Sequence, residues 1–295
     1  MKPLFTGLFT ALITPFDESG KVDFATYEQL IERQINGGVG GLVPCGTTGE
    51  TPALSEDEHL ALVECCIKTA KGRVPVIAGA GSNNTAKTID TVNKISKLGA
   101  NGVLIVTPYY NKPTQEGLFR HYKAVHDSAD LPVLLYNVPS RTGVDLSCET
   151  VYRLSALPRI VGLKDASGKL ERPAKLKTMG IKEDFSLLSG NDDTALAFCA
   201  MGGMGCVSVT SNVCPDISAL MFNAIKDKDY TSAQKYHDKL AALNEALFCE
   251  TNPAPCKYAL SLLGLCSEKV RLPLCEISES SKSKVKIALD TALKD

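Results

Sequence analysis

IVGLKDASG (160–168) is the stretch from which the fold follows. Ile160, Val161 and Leu163 make an apolar run too short for a core helix, and Gly162 lets another backbone come close. The run reads as a strand buried on both faces, and the polar tail as the loop after it. The same phrase recurs along the chain. Apolar, β-branched runs stand near residues 8–14, 39–44, 74–78, 102–107, 132–137, 185–189 and 205–210. With 160–164 they make eight, starting roughly 20–35 residues apart, the length of a βα unit. Helical patterns lie between them. Asp23 can cap a run over 24–36, Ser55-Glu56-Asp57-Glu58 opens another that continues to Lys71, and 85–98 and 116–128 follow the same logic. Strands alternating with helices eight times predict an α/β fold, a (β/α)8 TIM barrel. An open doubly wound sheet is the alternative, weakened because no G-x-G-x-x-G follows the first strand.

Beyond residue 215 the strand signals stop. Segments 216–226, 230–248, 255–263 and 280–293 all carry helical patterns. The first supplies the last barrel helix. The expected organisation is a catalytic barrel over 1–226 and a C-terminal helical extension over 227–295, packed on the barrel.

Composition excludes several function classes. The net charge is −1 over 295 residues, with no basic stripe, so nucleic acid is an unexpected partner. Eleven cysteines include no C-x-x-C, which argues against zinc ribbons and thioredoxin-type centres. Many, among them Cys45, Cys199, Cys206 and Cys249, sit in apolar runs, where cysteine behaves as a small hydrophobe. The opening MKPLFTGLFTALITPF is broken by Pro3, Gly7 and Pro15 and is not expected to be a secretory signal. No apolar stretch reaches 18 residues, so no membrane helix is expected. A reducing cytoplasm suits this composition.

In a barrel of this kind chemistry lies at the C-terminal ends of strands. Those ends read CGTTGE (45–50), TPYYN (107–111), LYNVPSRTG (135–143), LKDASG (163–168), SGND (189–192) and VSVTSN (207–212). They are rich in hydroxyls and phenols. All four histidines fall in helical patterns and no carboxylates have metal-ligand spacing, so no metal is expected. Lys164, at the end of an apolar strand, has little water around it. Desolvation favours the neutral amine, which attacks a ketone to form a Schiff base. A stem packed on the strand end with its head in solvent is the competing reading. The hydroxyls of Thr47 and Thr48, with N–H groups around glycines, can hold a carboxylate without a cation, or form an ordinary turn. Tyr136 can relay protons. Arg141 can clamp a carboxylate through two hydrogen bonds. Tyr109-Tyr110 also reads as an interface patch.

Taken together, GTTGE, TPYYNKPTQEG, LYNVPSRTG, GLKDASG and SGND, in that order, resemble the dihydrodipicolinate synthase family of the pyruvate-dependent class I aldolases. The likeness runs from GLFTALITPF (7–16) through TNPAPCK (251–257) to RLPL (271–274), nearly the whole chain. It implies condensation of pyruvate with L-aspartate 4-semialdehyde on the diaminopimelate route to lysine, without a cofactor. By resemblance, Lys164 forms the imine, and Thr47, Tyr136 and Tyr110 form a proton relay. Thr48 holds the pyruvate carboxylate, Arg141 holds that of the semialdehyde, and Gly190 and Val207 line the pyruvate pocket. Tyr110 is expected to enter a neighbouring subunit's site, within a dimer of dimers. N-acetylneuraminate and sugar-acid lyases share the lysine and the GTTG-type loop. Arg141 argues instead for a small carboxylated aldehyde. A barrel that binds a keto acid without turnover is the non-enzymatic alternative.

The resemblance also implies a lysine-effector site made from Thr51, Pro52, Glu56, His59, Asn83, Lys87 and Tyr109. Tyr109, Asn83 and His59 match the pattern of regulated members. Lys87 stands where a glutamate is expected and Glu56 where a histidine is expected. Feedback inhibition by lysine is therefore expected to be weak or absent.

Overall fold

Aliphatic runs settle into strands and capped amphipathic runs into helices. The computed structural model describes residues 2–294. In chain order the elements are β1 (Gly7–Ala11), α1 (Phe24–Asn36), β2 (Gly41–Val43), α2 (Glu56–Ala70), β3 (Ile77–Gly79), α3 (Thr85–Leu98) and β4 (Gly102–Val106). They continue as α4 (Gln115–Ser128), β5 (Val133–Asn137), α5 (Pro139–Thr142), α6 (Cys148–Ser155), β6 (Ile160–Asp165), α7 (Arg172–Thr178), β7 (Ser186–Ser189), α8 (Ala195–Ala200) and β8 (Gly205–Ser208). Then come α9 (Pro215–Lys226), α10 (Tyr230–Ala246), α11 (Ala254–Leu262) and α12 (Glu279–Leu293). One sheet holds the strands in the order β2-β1-β8-β7-β6-β5-β4-β3, with parallel pairing. Parallel strands in this order, each followed by a helix, form the (β/α)8 barrel expected from the sequence.

Local signals explain most element ends. Asp23 accepts from Thr26 N–H at 3.0 Å and starts α1. Ser55 and Glu58 form a reciprocal capping box at the start of α2. Asn84 caps α3, and left-handed Gly99 ends it. The helices over 24–36 and 85–98 fall on the residues expected. Most strands come out shorter than expected: the run over 39–44 is a strand only at Gly41–Val43, and the last strand gives way to a 3₁₀ turn at Thr210–Asn212, while β6 runs one residue further, to Asp165.

Internal contacts divide the chain into two compact units. One comprises the chain up to Gly7 together with Val76–Val207. Its strands pack through Val103, Ile105, Leu134, Leu163 and Leu187, each at most 1% exposed. Gly162 is required there, since a Cβ would lie 2.5 Å from Ser186 O. The other unit comprises Leu8–Pro75 and the chain from Ser208 onward. Its core joins Ile13, Leu30 and Val213 to Leu240, Leu247, Leu260, Val285 and Leu289. Helices α10 to α12 are held by this apolar burial, worth roughly 1.5–3 kcal/mol per large side chain. Surface pairs such as Lys68–Glu64 add only about 0.3–0.5 kcal/mol each. No helix among the described residues is long and apolar enough to cross a membrane.

Candidate active site

In the first unit, β5 and β6 pair in parallel with Tyr136 opposite Lys164. Both are 6% exposed. Lys164 Nζ lies 4.1 Å from the centre of the Tyr136 ring. Among the described residues no carboxylate comes within ion-pair distance of that nitrogen. Gly190 borders the same side chain: a Cβ there would sit 3.1 Å from Lys164 Cε and 2.7 Å from Ala166 Cβ. Only glycine leaves the lysine arm its channel. Val207 is buried in β8, beside Cys206, whose thiol is pushed up by burial and so stays protonated.

The residues next to Tyr136 and Lys164 lock these strand ends. Asp165 Oδ2 lies 2.8 Å from Arg172 Nε, with both side chains almost fully buried. Asn137 Nδ2 donates to Asp145 Oδ1 at 2.8 Å and to Asp165 Oδ2 at 3.3 Å, while its Oδ1 accepts from Leu146 N–H at 2.9 Å. Buried polar groups tied together at several points favour a single geometry. Beyond β5, Arg141 lies exposed on α5, and left-handed Gly143 ends that turn. Tyr110 is 88% exposed with φ +71°, a conformation unusual for a bulky residue.

In the second unit, CGTTGE folds as a 3₁₀ turn over Thr47–Gly49. Gly49 N–H bonds Gly46 O at 3.0 Å, and Glu50 N–H bonds Thr47 O at 3.1 Å. The N–H groups of Thr47 and Thr48 and the Thr47 hydroxyl make no hydrogen bond among the described residues. The turn therefore presents donors suited to an anion. Glu50 closes it in the left-handed region, φ +54°. Its carboxylate is buried and takes Lys257 Nζ at 2.7 Å and Arg271 N–H at 2.9 Å. Lys257 Nζ also lies 4.1 Å from the Phe16 ring centre. Burial pulls Lys257 below the usual lysine range, and the Glu50 charge opposes that pull. Arg271 forks onto Glu58, at 2.6 and 2.7 Å, and its hydrogen bonds hold the Glu58 carboxyl down at about 2. Asn252 Nδ2 donates to Thr48 Oγ1 at 3.0 Å.

Sequence reasoning assigned no role to Glu50, Asn252, Lys257 or Arg271, although all four lie in the motifs quoted. The pairing of Glu50 with Lys257 spans 207 positions and leaves no local signal. A charged lysine inside the otherwise apolar start of α11 was the one available hint. The implied effector residues are placed as follows. The Thr51 hydroxyl bonds Gly46 O at 2.9 Å, Pro52 lies in a second 3₁₀ turn, and Glu56 and His59 lie on the first turns of α2. Asn83 O accepts from Asn111 Nδ2 at 3.0 Å, Lys87 lies on the first turn of α3, and Tyr109 is 37% exposed. His59, His121, His126 and His237 are all helical, as expected. Among the described residues no cluster of His, Cys, Asp and Glu is assembled to hold a metal.

Comparison with known proteins bears on the whole chain. The model of the dihydrodipicolinate synthetase family matches residues 4–292. A 4-hydroxy-tetrahydrodipicolinate synthase from Parvibaculum lavamentivorans is 52% identical over 289 residues, covering 98% of this chain and 99% of that one. The enzyme of the same name from Phenylobacterium zucineum is 50% identical over 290 residues, 98% of both. A crystal structure of dihydrodipicolinate synthase from Cyanidioschyzon merolae with lysine bound superposes with TM-score 0.95 at 39% identity, covering 99% of each chain.

Proposed function

The chain belongs to the dihydrodipicolinate synthetase family, and on that premise we propose that it condenses pyruvate with L-aspartate 4-semialdehyde to 4-hydroxy-tetrahydrodipicolinate, the committed step of the diaminopimelate route to lysine. Lys164 Nζ attacks C2 of pyruvate to give a carbinolamine, which loses water to form the imine. The imine is an electron sink, so a C3 proton leaves and an enamine forms. The enamine carbon attacks the aldehyde, making the new C–C bond and a hydroxyl. The amino group of the former semialdehyde then attacks the imine carbon, closes the ring and expels Lys164. No step needs a cofactor or a metal. Tyr136, Thr47 and Tyr110 move the protons, Thr48 binds the pyruvate carboxylate, Arg141 binds that of the semialdehyde, and Gly190 and Val207 line the pocket.

The observation that carries this reading is Lys164, buried against Tyr136 and Gly190 with no carboxylate on its nitrogen among the described residues. Borohydride reduction with pyruvate tests it, because only an imine is fixed as a stable adduct.

The exposed, left-handed Tyr110 supports the proposal that it completes a neighbouring subunit's site within a dimer of dimers. Residues 227–295 form the helical extension to a catalytic barrel over 1–226, and the enzyme works in the cytoplasm. Thr51, Pro52, Glu56, His59, Asn83, Lys87 and Tyr109 are the positions for a lysine effector. An ammonium at Lys87 repels a ligand carrying two of its own, so inhibition is weak or absent. Half-inhibition at sub-millimolar lysine contradicts that.

A further inference from the structure

We propose that Asn252 is a positioning residue for this reaction: it aims the Thr48 hydroxyl proton at the pyruvate carboxylate. The inference rests on the assignment of Thr48 to that carboxylate. A threonine hydroxyl has one proton and two lone pairs, and its proton turns to whatever acceptor is offered. Asn252 Nδ2 donates to Thr48 Oγ1 at 3.0 Å, and the two residues are 4% and 3% exposed. One lone pair is thereby filled, and the proton is turned away from Asn252. Among the described residues the Thr48 hydroxyl donates to nothing. Its proton is left for an acceptor the protein does not supply.

The rest of the turn is already fixed on both sides of Thr48. Thr14 Oγ1 donates to Gly49 O at 2.8 Å, Thr51 Oγ1 donates to Gly46 O at 2.9 Å, and Glu50 is held by Lys257 and Arg271 N–H. At Thr48 itself the hydroxyl rotation is the freedom that remains, and Asn252 restricts it. Asn252 precedes Lys257 by five residues on the segment that enters α11. One segment thus pins the turn at Glu50 and orients its hydroxyl at Thr48. A hydroxyl already aimed need not be reoriented when the anion arrives, which favours binding.

The test uses the full-length protein with Asn252→Ala, Asn252→Asp, Thr48→Val and the Asn252→Ala/Thr48→Val double variant, with folding checked by circular dichroism. Asn252→Ala raises KM for pyruvate about 10-fold and leaves kcat at saturating pyruvate within about 3-fold, the pattern of lost ground-state binding. Asn252→Asp keeps the shape but only accepts, so it takes the Thr48 proton. It raises KM about 100-fold at neutral pH, and the loss shrinks as pH falls and the introduced carboxyl protonates. In the Thr48→Val background, Asn252→Ala adds less than about 2-fold. Should Asn252→Ala not fold, Asn252→Asp with its pH profile decides the matter. Unchanged KM in the folded variants overturns the inference, as does a full additive loss in the double variant or a pH-independent loss in Asn252→Asp. Such results alongside wild-type trapping of pyruvate on Lys164 leave the imine assignment standing. Failure of the wild type to trap pyruvate overturns both.

Discussion

Lys164 and Lys257 are both buried, and each holds its nitrogen 4.1 Å from an aromatic ring centre, Tyr136 in one unit and Phe16 in the other. They differ in what else meets that nitrogen. Lys257 has Glu50 at 2.7 Å, and Glu50 in turn takes Arg271 N–H. Lys164 has an aromatic face, the close approach of Gly190 and, among the described residues, no carboxylate. An ammonium clamped to a carboxylate is a structural tie, because its lone pair is occupied by a proton that the partner stabilises. On the proposed reading, a lysine beside a phenol serves as nucleophile with a proton carrier at hand. Burial is common to both lysines; the counter-charge is what differs between them.

Four single substitutions, one of them also paired with a second change, break or sharpen this contrast. The largest effect is expected from Lys164→Arg, whose guanidinium stays protonated and cannot form an imine. Condensation and pyruvate trapping fall to background while the circular dichroism spectrum stays native. Next is Lys257→Met. It leaves Glu50 buried without its partner, at a cost of about 3–5 kcal/mol in urea unfolding. Adding Glu50→Leu recovers most of that loss, because a buried ion pair replaced by apolar groups is often close to neutral. Any folded Lys257→Met protein still traps pyruvate on Lys164. A loss of trapping in that folded variant would assign chemistry to the wrong lysine.

Arg141→Ala concerns a cation at the surface. It lowers kcat/KM for the semialdehyde by about 2–4 kcal/mol of transition-state binding, yet leaves formation of the pyruvate adduct nearly unchanged. Steady-state kinetics paired with trapping separates the two. The smallest effect belongs to Glu58→Gln. Arg271 holds the Glu58 carboxyl at about 2 against an ordinary value of 4.5. A depressed folded-state value gives stability that is present above pH 4.5 and lost as pH falls toward 2. The variant is therefore less stable than wild type at neutral pH and converges with it under acid, as melting temperatures across that window will show.

Much of this contrast was legible in the sequence, on one side only. Eight aliphatic runs marked eight strands, because buried parallel strands need apolar residues on both faces. Strand-end residues such as Lys164, Tyr136 and Arg141 could be read in place, since a barrel's chemistry follows its strands. Helices α5 to α8 were not read, because runs of four to eight residues are too short to show a helical period. The Glu50–Lys257–Arg271–Glu58 network was not read either. Its partners meet across 207 to 221 positions, so the pairing exists only once the chain has folded. Asn252 looked like any residue before a proline.

The most direct test is borohydride reduction of the wild-type protein with pyruvate, followed by peptide mapping. The account predicts one adduct, carried by the peptide containing Lys164, with Lys257 unmodified. An adduct on Lys257 or on any other lysine, or no adduct at all, would contradict it.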